Sequence, residues 1–507
     1  MGQTFSRPRV CVTVSADTTA ELRRRRDEVH HGDLVELRLD TVRDPDIHGA
    51  LAGRPRPVVI TCRAAWEGGH FRGSEDERIR LLTAAWDAGA EFVDIEAAAP
   101  AASAFLERTA GRRVVLSMHD FGGVPSDLEE RAGSLARTPA EIVKIAVTPT
   151  RLSDTLPLFA LADLVGSRKF IALAMGSAGV PTRLLAARIG SHWSYAGQGW
   201  VPGQMPAERL LGEFRFQSVT AQTVVYGVLG NPIAHSLSPA MHNAAFEAEA
   251  LDAVYVPLEA ADAADFLAFA DGIGLAGVSV TAPFKRAFEG VARLDAHAER
   301  AGALNTLKRA SDGWEATNTD IEGFLTPLEP RLALKGIRAA VLGAGGAARA
   351  VAIALHGRGA RVTLHARRFE QAREAAEALG VHHAAWPPAA GTWDLLVNAT
   401  PVGTAPRDDT PLPNAEFDGR LVYDLVYNPP LTRLLREAAT ATSGCATLGG
   451  LEMLVAQAAR QFHWWTGRQP NVEVMRRAAL RRLAADRASQ ADQNVMLDET
   501  YATDDVR

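Results

Sequence analysis

Between Val10 and about Gly197, eight short β-rich runs recur with helical stretches between them: VCVTVS, LVELRLD, PVVITCR, FVDIE, VVLSMHD, IVKIAV, FIALAMG and WSYAG. That rhythm over about 190 residues matches a (β/α)8 barrel, whose chemistry sits at the carboxyl ends of its strands. A doubly wound sheet is the alternative. Several runs carry polar groups within or at their ends: Glu36, Arg38 and Asp40, Arg63, Glu96, His119 and Asp120, and Lys144. A barrel would gather them inside, either as a site or as interior ion pairs. Lys144, in Ile-Val-Lys-Ile-Ala, stands out. An apolar surround disfavours the ammonium and leaves a neutral amine able to attack a carbonyl.

The barrel accounts for less than half of the 507 residues. After the polar stretch 217–223, VVYGVLGNPIAHSLSPAMHN opens a new strand-loop-helix pattern. Further on, the apolar strand Ile337 to Leu342 runs into Gly343-Ala344-Gly345-Gly346-Ala347-Ala348 and a helical stretch Arg349 to His356. This is the G-x-G-x-x-G/A turn in its required context, with a helix amino terminus facing a pyrophosphate. A second strand, Arg361 to His365, ends in Ala366-Arg367-Arg368 where an NAD site would carry an acidic residue. Two arginines there favour a 2'-phosphate, hence NADP(H).

Composition closes off other classes. Hydrophobic residues are 47% and charged residues 22%, and Lys plus Arg at 54 against Asp plus Glu at 60 gives a net charge of -6. A nucleic-acid binder would show a basic excess, so none is expected as a partner. No apolar run reaches membrane-spanning length, and Cys11, Cys62 and Cys445 form no pair or framework, so a cytoplasmic protein is expected. MGQTFS at the start matches a loose acylation pattern, with a plain terminus preferred. The pairs His30-His31 and His382-His383 lack metal-site spacing, and no metal is expected. From about Arg487 the chain is polar, acidic and without helical periodicity, and residues 487–507 read as a disordered tail.

The ordered motifs Glu36-Leu-Arg38-Leu-Asp40, Thr61-Cys-Arg63 with Glu67-Gly-Gly, Ser117-Met-His119-Asp120-Phe121, Val143-Lys144-Ile145, Thr182-Arg183 and Pro202-Gly203-Gln204 resemble the type I 3-dehydroquinate dehydratases. The resemblance implies a Schiff base on Lys144, with His119 as acid-base oriented by Glu67. It also implies that Arg183 holds the substrate carboxylate, while Glu36, Arg38, Arg63 and Gln204 bind hydroxyls or support the pocket. The family usually has Ser four residues before that Gln, where this chain has Trp200.

The second half resembles the shikimate dehydrogenases. Its motifs include Gly230-Asn-Pro-Ile-Ala-His235-Ser236-Leu-Ser238-Pro239, Thr281-Ala-Pro283-Phe-Lys285, Gly302-Ala-Leu-Asn305, Asn318-Thr-Asp320 and Gly323. The glycine turn, Asn398-Ala-Thr400-Pro-Val-Gly403 and Gly450-Leu-Glu-Met453 through Gln457 complete the set. The resemblance implies an acid-base pair of Lys285 and Asp320. Ser236 and Ser238 would hold the carboxylate, and Thr281, Asn305, Tyr427 and Gln457 would contact the rest of the substrate. NADP(H) would lie against Gly343, Ala344, Gly345, Gly346, Ala347, Arg367, Arg368, Asn398, Thr400 and Gly450. Where the family has Asn-Val-Thr, this chain has Ser279.

Together the halves imply a bifunctional enzyme performing two successive steps, 3-dehydroquinate to 3-dehydroshikimate and then to shikimate. The expected layout is a barrel over 1–218, a substrate lobe over 224–330 completed by 450–483, and a Rossmann-like NADP lobe over 331–449. Each half carries a full motif set, so independent action is expected; oligomeric state is left open. A quinate-active dehydrogenase is the nearest alternative, disfavoured by Ser238 and Thr281. A metabolite-sensing regulator would show damage at Lys144, His119, Lys285 or Asp320, and all four are present.

Overall fold

The computed structural model describes residues 7–197, 203–441 and 444–504, with side chains through residue 488. The chain divides into two compact units, Met1–His235 with Asp252–Leu275, and Ser236–Leu251 with Ala276–Arg507.

In the first unit all eight expected runs are strands: β1 (Arg9–Ser15), β2 (Leu34–Arg38), β3 (Val58–Thr61), β4 (Phe92–Glu96), β5 (Val114–Asp120), β6 (Ile142–Val147), β7 (Lys169–Ala174) and β8 (Trp193–Ala196). They form a nearly closed parallel barrel in the order β7-β6-β5-β4-β3-β2-β1-β8. At the closing edge the His192 amide donates to the Phe170 carbonyl at 2.7 Å. Valine and isoleucine dominate the strands, and their outward faces pack on helices such as Glu75–Asp87 and Leu156–Val165 in one apolar shell. Inside, Cys11, Val59, Val115, Ile171 and Trp193 fill the barrel. Branched and aromatic side chains suit this crowded, pleated interior. The same unit holds a parallel pair, β9 (Val224–Gly230) with β10 (Ala253–Glu259), and the helix Ala263–Ile273.

The second unit contains β11 (Gly277–Val280), β12 (Ala292–Leu294), β13 (Thr306–Ala310) and β14 (Gly313–Thr317). Strand β13 pairs antiparallel with β11 and β14, and β12 runs parallel to β14. Next come β15 (Arg338–Leu342), β16 (Arg361–His365), β17 (His382–Ala384), β18 (Leu395–Asn398), β19 (Leu421–Asp424) and β20 (Ala446–Gly449). Their all-parallel order, β17-β16-β15-β18-β19-β20, is the doubly wound arrangement of dinucleotide-binding sheets. The chain order reverses beside β15, where ligands of such sheets bind at the strand carboxyl ends.

Some expectations change. The helix after the glycine turn starts at Gly346, not Arg349, and runs to Gly357. Glycine is tolerated in that exposed first turn, whose N–H groups have no intrahelical partner. The segment from Arg487, expected to be irregular, continues the helix Val472–Asp504. It lacks the helix breakers Gly and Pro and includes the helix formers Ala488, Gln490, Ala491, Gln493, Met496 and Leu497, so local propensity carries the helix without an apolar stripe. The polar stretch 217–223 is also more structured than a free linker: the Thr223 hydroxyl, on a buried residue, donates to Asp252 at 2.6 Å. MGQTFS, Trp200 and Pro202 lie outside the described residues.

Candidate active sites

Period-two alternation turns Lys144, Asp94, Glu96, Ser117 and His119 into the barrel from three neighbouring strands. The Lys144 ammonium donates to Asp94 Oδ2 at 3.1 Å, lies 3.9 Å from Glu36 Oε1 and sits 4.6 Å from the centre of the Tyr195 ring. Its surround is therefore not the purely apolar one its own strand suggests. Residues on other strands supply the carboxylates, and a single strand's sequence cannot show them. Glu36 is held by the hydroxyls of Thr13 and Thr61, each at 2.9 Å.

Arg63 is the hub of the network. Its Nη2 donates to Asp94 at 2.9 Å, and its Nη1 donates to Glu96 at 2.9 Å, Ser117 at 2.8 Å and Glu67 at 3.3 Å. Burial pushes the Asp94 carboxyl up, but Arg63 and Lys144 outweigh it and hold Asp94 below the usual carboxylate range. His119 Nδ1 lies 3.1 Å from Glu67 Oε2. Burial, with Arg63 and Lys144 nearby, holds the imidazole well below its ordinary value and keeps it neutral. Burial pushes Glu67 the other way, up to about 7.

Arg183, on the helix Val180–Leu184, is 2% exposed, and its Nε and Nη1 have no hydrogen-bond partner among the described residues. Burial pushes its guanidinium down to about 10. A buried cation without a counter-charge costs several kcal/mol, about the scale of breaking a buried pair, a cost that an anion beside it would offset. Gln204 Oε1 is likewise buried without a partner among the described residues. Arg38 is committed to Asp40 through two bonds of 2.9 and 2.8 Å, beside a cavity of about 1350 Å³ that Gly68 and His70 also line.

Of the candidates, Asp40 is structural, accepting backbone amides from Arg63 at 3.2 Å and His70 at 3.1 Å. Glu96 serves Arg63 and Arg78. Asp120 faces away and accepts the Gly122 amide, because it is one residue out of phase with His119. Asp94 and Tyr195 escape the motif reading. Asp94 stands two residues before Glu96 on one strand and so on the same face, a signal the sequence does contain.

In the second unit, Lys285 Nζ donates to Asp320 Oδ2 at 2.6 Å, and the lysine side chain is 30% exposed. Asn305 Nδ2 donates to Asp320 Oδ1 at 2.8 Å while its Oδ1 accepts the Thr319 amide at 2.8 Å. Much of Asn305 is thus engaged in fixing the aspartate. Ser236 Oγ accepts the Ser238 amide at 3.3 Å at the start of the helix Ser238–Ala248. Thr281 and Tyr427 are half-buried, and burial raises the Tyr427 phenol. Gln457 lies on the helix Gly450–Thr466, and a Cβ at Gly323 would come within 2.6 Å of the Gln457 Cβ. Only glycine allows that approach. The Ser279 hydroxyl donates to the buried Gln461 at 2.8 Å, and Gln461 Nε2 donates to Thr306 at 3.0 Å. This ties β11 and β13 to the helix that carries Gln457.

The glycine turn leaves β15 at Gly343, whose φ is +118° and whose amide donates to the His365 carbonyl at 2.8 Å. That bond ties the turn to the end of β16, and Arg367 and Arg368, both exposed, follow that end in the chain. Gly345 and Gly346 are exposed, and a Cβ on either would meet nothing within 4 Å, leaving room for a phosphate at the helix N-terminus. Ala344 and Ala347 flank them, half-buried. Asn398 is engaged in the fold: its Nδ2 donates to Asp424 at 2.9 Å and its Oδ1 accepts from Thr400. At Gly450 a Cβ would lie 2.2 Å from the Leu425 carbonyl oxygen, so this glycine is a packing requirement.

The fold and these two lysine-carboxylate sites define a two-site enzyme, a barrel lyase fused to a dinucleotide-dependent oxidoreductase. Family models match in the same order: type I 3-dehydroquinase over residues 10–219, the shikimate dehydrogenase substrate-binding domain over 228–307, and the shikimate 5'-dehydrogenase C-terminal domain over 450–480. The chain is 33% identical to the chloroplastic bifunctional 3-dehydroquinate dehydratase/shikimate dehydrogenase of Arabidopsis thaliana, covering 90% of this chain and 82% of that protein. It is 43% identical to the NADP(+) shikimate dehydrogenase of Methanopyrus kandleri, covering 52% of this chain and 98% of the relative. A crystal structure of shikimate 5-dehydrogenase from Thermus thermophilus with NADP(H) and shikimate is 38% identical, covers 51% of this chain and 99% of its own, and gives a TM-score of 0.47. The chain belongs to the family of bifunctional 3-dehydroquinate dehydratase/shikimate dehydrogenases.

Proposed function

We propose that the barrel dehydrates 3-dehydroquinate and that the second unit reduces the resulting 3-dehydroshikimate to shikimate with NADPH. One observation carries the reading: at the position its family motif marks, each half holds a lysine against a carboxylate.

In the barrel, the Lys144 ammonium lends a proton to neutral His119, the freed amine attacks the C3 ketone, and the same proton returns to the carbinolamine hydroxyl, which leaves as water to give a protonated imine. Asp94 and Glu36 already face that nitrogen, so the cation meets charges fixed before the reaction begins. The imine acidifies the C2 proton. Neutral His119, its Nδ1–H held by Glu67, takes that proton at Nε2 and returns it to the departing C1 hydroxyl, which leaves as water. Hydrolysis then frees the product and Lys144. Arg183 binds the substrate carboxylate, and Gln204 takes a hydroxyl. Arg63 and Arg38 support the pocket through their ion pairs.

In the second unit, Gly343 through Ala347 would hold the pyrophosphate and Arg367 with Arg368 the 2'-phosphate, with Thr400 and Gly450 bordering the site. Bound there, NADPH supplies the hydride that reduces the ketone. Lys285, fixed by Asp320, gives its proton to the forming alkoxide. Ser236 and Ser238 hold the carboxylate, and Thr281, Asn305, Tyr427 and Gln457 surround the ring. The chain is read as working in the cytoplasm on small molecules; among the described residues no helix is long and apolar enough to cross a membrane. Incubation with 3-dehydroquinate alone should give 3-dehydroshikimate, and adding NADPH should carry it to shikimate. Failure to form either product would overturn the corresponding half.

A further inference from the structure

The stretch Asp252–Leu275 belongs in sequence to the reductase half, yet it shares the compact unit of the barrel. Asp265 is 2% exposed, and its carboxylate accepts three backbone amides: Leu152 at 3.1 Å, Ser153 at 2.8 Å and Ala261 at 2.8 Å. Leu152 and Ser153 stand in the connection that follows β6, the strand of Lys144. Beside them Arg151 pairs with Asp262 at 2.8 Å. A second carboxylate, Glu259 at the end of β10, accepts the hydroxyl of Ser177 in the connection between β7 and the helix of Arg183. That connection supports the next one, since a Cβ at Gly203 would lie 2.5 Å from the Gly176 carbonyl oxygen, and Gln204 follows directly.

Apolar contact backs both clamps. Phe159 meets Phe269 edge to face at 6.3 Å, and a Cβ at Gly272 would fall 2.4 Å from Leu156 Cδ2. Buried loop amides need acceptors, and here the acceptors come from outside the barrel sequence. Burial pushes the Asp265 carboxyl up, but the amides it accepts outweigh that and hold it below the usual carboxylate range.

We infer that Asp265 and Glu259 are positioning residues of the dehydratase, fixing from the reductase half the two barrel-mouth connections that flank Lys144 and carry Arg183. The inference rests on the barrel being the dehydratase. Its consequence is that the two halves are not independent: the barrel's substrate-binding face is completed by residues beyond 218. Lys144, His119 and Glu67 hang from strand interiors or buried pairs that the clamps do not touch, whereas Arg183 and Gln204 hang from the clamped connections. Loosening the clamps should therefore weaken binding more than chemistry.

The test uses the full chain. Asp265→Asn keeps the size but offers only one acceptor oxygen to three amides. It should raise KM for 3-dehydroquinate about fivefold with kcat within about twofold, and should speed hydrogen exchange in the peptide covering residues 148–155. Glu259→Gln should raise the same KM, and it carries the test if Asp265→Asn does not fold. An unchanged dehydratase KM in folded variants would overturn the inference. So would dehydratase and reductase kcat falling together, which marks general destabilisation. If the unmodified chain lacks dehydratase activity, the functional reading fails; if it is active and the variants match it, only this inference fails.

Discussion

The two lysine sites solve different problems with the same pair of groups. Lys144 is 6% exposed in its side chain and lies in a closed network of strand carboxylates, an aromatic face and an arginine hub, Arg63, just past the end of β3. Lys285 is 30% exposed, with one carboxylate partner, beside connections and helix starts. The difference follows from where the reactive electrons go. In the barrel the protein itself becomes the electron sink, so its groups must be buried and tuned. In the second unit the hydride comes from a bound dinucleotide, so the protein needs an open glycine turn and one well-held proton donor. Burial suits the first and exposure the second.

The largest test of this contrast is Lys144→Ala. Dehydratase turnover should fall by more than about a thousandfold, as for loss of a covalent nucleophile, while the reductase rate of the same protein stays within about twofold. Borohydride with 3-dehydroquinate should add mass to the parent at Lys144 and none to the variant. Modification at another lysine would break the contrast at its root.

Next in size, Lys285→Ala should lower reductase kcat by about a hundredfold or more, the scale of a lost general acid, with shikimate and NADPH binding retained. Steady-state kinetics with equilibrium binding separates the two. Collapse of shikimate binding with turnover kept would make Lys285 a binding residue.

A smaller effect is expected at Arg367 and Arg368. Replacing both by Ala should raise KM for NADPH about tenfold, the loss of one charge-assisted bond of about 1.4 kcal/mol. KM for NADH should hardly move. Equal rises for both coenzymes would remove the 2'-phosphate reading.

The finest test is pH. Burial lifts Glu67 to about 7, so below that pH it is protonated and no longer accepts the Nδ1–H of a neutral His119. Dehydratase kcat should therefore be lost as pH falls through about 7 and gained above it, and Glu67→Gln should flatten that step. The carboxylate that holds the reductase lysine, Asp320, is more exposed, at 14% of its side chain against 8% for Glu67. A dehydratase kcat that stays flat through about pH 7 would overturn the role given to Glu67.

Legibility in sequence follows the same division. All eight barrel strands and the β15 glycine turn can be read from local pattern, because strand runs and turn glycines are local properties. The partners of Lys144 cannot, since Asp94 and Glu36 reach it only through the pairing of neighbouring strands. Asn305 reads as a substrate ligand in its motif, and its bond to Asp320 becomes visible only in the fold. Asn398 likewise braces Asp424, a buried carboxylate that no motif marks. The segment after Arg487 misleads because missing periodicity is not missing helix, and propensity alone extends Val472–Asp504.

What the sequence determined by itself is the identity and order of the chemistry: a lysine in an apolar run, a histidine, a glycine turn with arginines in place of an acid, and a Lys-Asp pair in two short motifs. Residue type and near spacing carry that information directly. Only the tertiary structure decided which of those groups are tuned and which are merely braced, and that Asp265 and Glu259 reach the barrel's catalytic face from beyond its own sequence. Burial and charge pairing arise between residues far apart in the chain, so their effects on a pKa or on a loop exist only once the strands have closed and packed.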